Sequence, residues 1–80
     1  MIGNNTVSLC DLADGEPGTV IQLQGGQAFL SRMSALGFTP GAVVSMVRNS
    51  GNGPVIVTVL DTQIALGRGQ ACKVYVRRRI

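Results

Sequence analysis

The chain has 80 residues, of which 45% are hydrophobic and 14% charged, with a formal net charge of +3. This length allows one domain with a hydrophobic core, and the composition excludes an intrinsically disordered chain. The low charge leaves apolar surface exposed on so small a molecule, which favours a protein partner or self-association.

The residue types that several common chemistries need are missing. There is no histidine, which excludes Ser-His-Asp and Cys-His catalysis and histidine metal sites. The four acids stand at positions 11, 14, 16 and 61, too scattered for a convincing acid and base pair, and no glycine pattern matches a phosphate-binding loop. We therefore expect a protein that is not an enzyme and has no bound cofactor.

The N-terminal segment gives few structural signals. Residues 1–6 show no periodicity and are expected to be a flexible tail before a single domain over residues 7–80. Residues 8–12 favour one helical turn. Met1 is not followed by a signal peptide or a membrane span, which favours a cytoplasmic protein. In that reducing compartment Cys10 and Cys72 are expected to be free thiols.

The next elements are a strand and a helix. Residues 19–24 alternate, with Ile21 and Leu23 on one face, as in a half-buried strand. Apolar residues then recur at helical spacing and predict a helix of about ten residues starting at Gln27. Gly37 is expected to end it in a Schellman motif, with Phe38 folding back onto the helix.

The rest of the chain predicts short strands between turns. Thr39-Pro40-Gly41 is typical of a turn, and the predicted strands that follow are residues 43–48, 55–60, 63–67 and 72–77, the middle two joined by a hairpin at Asp61-Thr62. About five mostly antiparallel strands with one inserted α-helix predict a mainly β fold, a small SH3-like barrel. A closed or nearly closed barrel removes edges that so valine-rich a chain could not safely leave exposed.

An ordered set of residues resembles the pattern of FeoA-like domains over roughly residues 7–77. Its most specific part is Leu36-Gly37-Phe38 followed by Pro40-Gly41, and the other matches are Ser8-Leu9, Asp11-Leu12, Gly15, Gly18, Val20, Arg32-Met33, Pro54-Val55, Ile64-Ala65-Leu66 and Ala71. The resemblance implies an SH3-like barrel that serves as the small cytosolic accessory protein of the bacterial ferrous iron transporter FeoB. A similar domain forms the C-terminal part of metal-dependent repressors of the diphtheria-toxin-repressor type, so a stand-alone relative of that domain is an alternative.

The predicted function is protein–protein contact with the cytosolic part of a FeoB-type transporter. The candidate contacts are residues expected to be exposed on or near the helix and on the last strand: Gln27, Ser31, Arg32, Thr39, Pro40, Tyr75 and Arg77. Because Arg32→Glu reverses a charge at the edge of this surface, we expect it to weaken the complex and leave the fold intact.

Two other ligand classes remain as alternatives. Cys10, Asp11, Asp14 and Glu16 are a weak candidate set for a divalent metal ion, because two thiols without histidine fall short of a tetrahedral site. The basic end at residues 77–79 could bind single-stranded RNA. With only three aromatic residues in the chain, however, few bases could stack on it.

Overall fold

The computed structural model describes residues 5–78. The strands are β1 Thr6–Ser8, β2 Pro17–Leu23, β3 Val43–Arg48, β4 Val55–Val59, β5 Thr62–Leu66 and β6 Val74–Arg78, and the helices are a 3-10 turn at Leu9–Asp11, α1 at Gln27–Leu36 and α2 at Arg68–Ala71. The six strands form one antiparallel sheet in the order β1-β6-β2-β3-β4-β5.

A single hydrophobic core lies inside the curved sheet. Alternate residues of β4 point inward, so that Val55, Val57 and Val59 are buried. The same alternation buries side chains of β2, β3 and β6, and the full core is Leu9, Leu12, Val20, Met33, Phe38, Val44, Met46, Val55, Val57, Val59, Leu66, Ala71, Val74 and Val76. The prediction of a mainly β, SH3-like barrel is confirmed, with six strands in the described chain where about five were expected.

Helix α1 ends as predicted. Gly37 has a φ of 101°, its N–H donates to the Ser34 carbonyl at 3.0 Å, and the Phe38 N–H donates to the Met33 carbonyl at 2.9 Å. These two hydrogen bonds define a Schellman motif. Met33 and Phe38 are both buried in the core, so this motif fixes how the chain leaves the helix.

The turn after α1 is also confirmed. Gly41 has a φ of 94°, and the Ala42 N–H donates to the Thr39 carbonyl at 2.9 Å. Proline at the first central position and glycine at the second are typical of a type II turn. The Gly41 N–H then donates to the Val20 carbonyl at 2.7 Å, which ties the turn to β2.

Three local predictions need correction. Thr6, placed in the expected tail, lies in β1 and pairs with Arg77, whereas residues 1–4 of that tail lie outside the described residues. The hairpin between β4 and β5 turns at Leu60 and Asp61, one residue earlier than expected, with φ of 52° and 60°. The turn expected before β6 contains the short helix α2.

The expectation of free thiols was also wrong, because the structure joins Cys10 and Cys72 in a disulfide. Cys10 lies in the 3-10 turn and Cys72 directly follows α2. Packing of these two elements places the Cα atoms 5.1 Å apart, within the usual range for a disulfide. A sequence separation of 62 residues gives no local signal for such a contact.

Within residues 5–78, no helix is both long enough and apolar enough to span a membrane.

Candidate partner-binding groove

A groove lies between β2 and α1. It begins where β2 is irregular, because the register with β6 shifts between Val20 and Gln22. Such a bulge places an extra residue in one strand and redirects its side chain. Val20 is fully buried in the core, whereas the neighbouring Ile21 is only half-buried and lines the groove.

The groove, called here the β2–α1 groove, has a volume of about 320 Å³ and is lined by Ile21, Gln22, Leu23, Leu30, Ser34, Phe38, Thr39 and Pro40. Its walls come from β2, from one face of α1 and from the turn after the helix. Leu30 and Ser34 line the same side because residues four apart lie on one helix face. None of the lining residues carries a charge.

A shallower depression continues along the helix. It is lined by Gln27, Leu30, Ser31, Ser34 and Ala35, again without a charged side chain. Leu30 and Ser34 belong to both the depression and the β2–α1 groove. The two features therefore form one continuous uncharged surface on the exposed side of α1.

Four of the seven predicted contact residues lie on this surface. Gln27 and Ser31 line the depression, and Thr39 and Pro40 line the groove. Arg32 is exposed but lines neither feature. It precedes Ser34 by two residues, which is a rotation of about 200° around a helix with 3.6 residues per turn.

The two predicted contacts on β6 lie further away. Tyr75 pairs with Gln22 of the groove wall, and Arg77 pairs with Thr19 on one side and Thr6 on the other. Tyr75 is thus next to the groove across one strand pairing, while Arg77 is further along the sheet. The structure therefore brings four of the predicted contacts together on one surface, and Arg32 and Arg77 lie outside that surface.

The basic end is partly neutralised by the acidic start of the chain. Arg78 Nε donates to Glu16 Oε2 at 2.7 Å, and Arg78 Nη2 donates to the Asp11 carbonyl oxygen at 3.1 Å. Arg77, by contrast, is exposed on the outer face of β6. Residue 79 of the predicted basic run lies outside the described residues.

The residues predicted as weak candidates for a metal site do not form a cluster, and three of them have other partners. Cys10 is in the disulfide, the Asp14 carboxylate accepts a hydrogen bond from the Asn49 backbone N–H, and Glu16 is paired with Arg78. Among residues 5–78 no three cysteine or acidic side chains are grouped as metal ligands would be. The candidate set is therefore not assembled in the described chain.

The apolar walls of the groove were not predicted from the sequence. Ile21 and Leu23 were expected on one face of a half-buried strand, and Leu30 was not among the predicted contact residues. The adjacent apolar pair Val20-Ile21 was the available signal, because two neighbouring apolar residues cannot both point inward from a regular strand. One of the two therefore had to face outward, and in the structure it is Ile21, at the bulge.

Comparisons with known proteins agree on one family. The FeoA domain model matches residues 7–78. A relative from Methanocaldococcus jannaschii named "Putative Fe(2+) transport protein A" is 35% identical over 63 residues, which are 79% of this chain and 76% of the relative.

Solved structures share the fold. A crystal structure of the iron uptake regulatory protein FeoA matches with a TM-score of 0.88 at 31% identity, covering 92% of this chain and 99% of that one. The zinc complex of Stenotrophomonas maltophilia FeoA, described as an SH3 domain protein, matches with a TM-score of 0.78 at 31% identity, covering 88% of each chain. A manganese-dependent transcriptional repressor matches 99% of this chain and 45% of its own with a TM-score of 0.87, but at 17% identity this shows the fold alone.

Proposed function

Because this chain belongs to the FeoA domain family, we propose that it is a non-enzymatic accessory protein of ferrous iron transport that binds the cytosolic part of a FeoB-type transporter. In this role the chain acts in the cytoplasm through protein–protein contact. The iron is the cargo of the transporter.

The observation that carries the proposal is the uncharged surface formed by the β2–α1 groove and the adjoining depression. The groove exposes apolar side chains of Ile21, Leu23 and Leu30 in an open site of about 320 Å³. Hydroxyl and amide groups surround them on both the helix and the strand. Interface cores are similarly depleted of charge and surrounded by polar groups. We expect the transporter to fill the groove with apolar side chains.

The experiment that tests this function is a binding titration of the purified chain against the cytosolic domain of a FeoB-type transporter. Single-stranded RNA is titrated in parallel, and both series are repeated at low and moderate salt. Saturable binding to the transporter domain is expected. Since the proposed surface has no charged residue, the dissociation constant should change little with salt.

The opposite pattern would contradict the proposal. If RNA bound and the transporter domain did not, the exposed Arg77 and the basic residues after it would be the functional site. Such binding would weaken steeply with salt, because phosphate contacts release counterions. The family membership would then describe the fold without describing the partner.

A further inference from the structure

The outer edge of β5 is a second unpartnered surface, on another part of the molecule. Strand β5 is last in the sheet order and pairs only with β4 among residues 5–78. No backbone hydrogen bond outside that pairing involves residues 62–66 in the described chain. The strand also lacks the charged side chains and prolines that usually protect an edge from another chain.

The hairpin geometry identifies which backbone groups face outward. The two-residue turn at Leu60-Asp61 makes Val59 and Thr62 the closing pair, which exchanges hydrogen bonds in such a hairpin. Because hydrogen-bonded and non-hydrogen-bonded pairs alternate along antiparallel strands, the N–H and C=O groups of Gln63 and Ala65 point away from β4. These four groups are available to another strand.

The free groups are self-complementary. In an antiparallel pairing of two β5 strands centred on Ile64, Gln63 of each copy lies opposite Ala65 of the other. The Gln63 N–H can then donate to the Ala65 carbonyl of the second copy, and the Ala65 N–H of the second copy to the Gln63 carbonyl. The two-fold axis repeats this pair, as an isologous interface requires.

Side chains and charges favour the same arrangement. Ile64 pairs with the buried Val57 but is itself only half-buried, and the centred register brings the two Ile64 side chains directly together. The same register places the Asp61 end of one strand beside Arg68 of the other copy. Arg68 donates to the Asn49 Oδ1 atom and the Gly53 carbonyl, neither of which neutralises its charge.

From these features we propose that the chain self-associates as a two-fold dimer through antiparallel pairing of its β5 edges. The contact is confined to one strand of each copy, so the dimer is weaker than one with a standard interface. It leaves the β2–α1 groove unoccupied. The proposal therefore does not depend on the proposed transporter contact.

The test is sedimentation velocity of the full chain from low micromolar to near millimolar concentration, combined with amide hydrogen exchange. We expect a concentration-dependent monomer–dimer equilibrium in which exchange at the Gln63 and Ala65 amides slows as the dimer forms. A chain that stays monomeric throughout, or a dimer whose Gln63 and Ala65 amides exchange as fast as in the monomer, would overturn the proposal.

A matched pair of variants separates edge pairing from side-chain effects. Gln63→Pro removes one outward N–H and leaves the ladder with β4 intact, because proline is tolerated on an edge. It should raise the dimer dissociation constant about tenfold or more, since two equivalent hydrogen bonds are lost. Gln63→Ala keeps the N–H and should leave the constant nearly unchanged. Equal effects from both variants would contradict the backbone pairing. If Gln63→Pro fails to fold, the hydrogen exchange of the Gln63 and Ala65 amides in the wild type decides whether the β5 edges pair.

Discussion

Gly37 and Gly41 have similar backbone conformations but different surroundings. Their φ angles are 101° and 94°. A Cβ on Gly37 would lie 2.7 Å from Leu60 Cδ1, whereas one on Gly41 would meet nothing within 4 Å. Leu60 is 74% exposed, so its side chain is free to move aside. The left-handed backbone conformation, and not a steric clash, should therefore determine how much free energy of unfolding a substitution at either position costs.

We predict that Gly37→Ala and Gly41→Ala each lower the free energy of unfolding by about 1–2 kcal/mol, because both force an L-residue into the left-handed region. Urea denaturation of the two variants measures this. The values should agree within about 0.5 kcal/mol, the usual range for surface changes. A much larger loss for Gly37→Ala would show that Leu60 is held in place against the helix end.

Leu60 itself has an unfavourable conformation. It is a non-glycine residue with a φ of 52° at the first central position of the hairpin turn, where asparagine is better tolerated than leucine. Leu60→Asn should raise the free energy of unfolding by about 0.5–1 kcal/mol, because the left-handed conformation becomes less costly. Leu60→Ala is the control in thermal melts: it also removes the exposed side chain but gains no such preference. A variant with asparagine no more stable than the alanine control would refute this account.

At the scale of elements, the disulfide between the 3-10 turn and the end of α2 fixes two short segments to each other. It closes a loop with a sequence separation of 62 residues. On the chain-entropy model a disulfide over a loop of this length stabilises the fold by about 4 kcal/mol.

We predict that the Cys10→Ala/Cys72→Ala double variant melts on the order of 15–30 °C below the wild type, which is the shift that a loss of this size gives in a small domain. A thiol reductant should lower the melting temperature of the wild type by a similar amount and leave the double variant unchanged. A wild type that melts at the same temperature with and without reductant would contradict the disulfide.

Local signals explain which elements could be predicted. Helix α1 and its Schellman end depend on residues within one short segment, as does the turn at Pro40-Gly41, and all of these were predicted. Strand β1 has three residues and exists through its pairing with β6. The Cys10–Cys72 contact likewise depends on the tertiary fold, so sequence patterns near either partner could not reveal these two features.

At the scale of the whole molecule, the barrel could be predicted but the shape of its surface could not. Alternating apolar residues indicate a nearly closed sheet with one inserted helix, but they did not show that the outer edge of β5 is left unpaired in the described chain. The β2–α1 groove instead depends on a one-residue bulge at Ile21 and on the packing of α1 beside it. For this reason Thr39 and Pro40 were placed correctly as exposed turn residues, while Leu30 and Ser34 were missed.

If the β2–α1 groove binds the transporter, a charge placed in it should weaken the complex, and two variants of equal charge test this. Ser34 is exposed and lines both the β2–α1 groove and the adjoining depression. Ala28 is exposed on the same helix but lines neither of them. Ser34→Arg puts a charge into an uncharged site that the partner would cover, and burying an unpaired charge is costly. Ala28→Arg adds the same charge elsewhere on α1.

The most direct measurement is the dissociation constant of both variants for the cytosolic domain of a FeoB-type transporter, with circular dichroism to check their folding. Ser34→Arg should weaken binding at least about tenfold, equivalent to 1.4 kcal/mol, and Ala28→Arg should stay close to the wild type. Unchanged binding by Ser34→Arg, or equal losses in both variants, would contradict the groove as the contact site. Arg32→Glu would then test the opposite face of the helix.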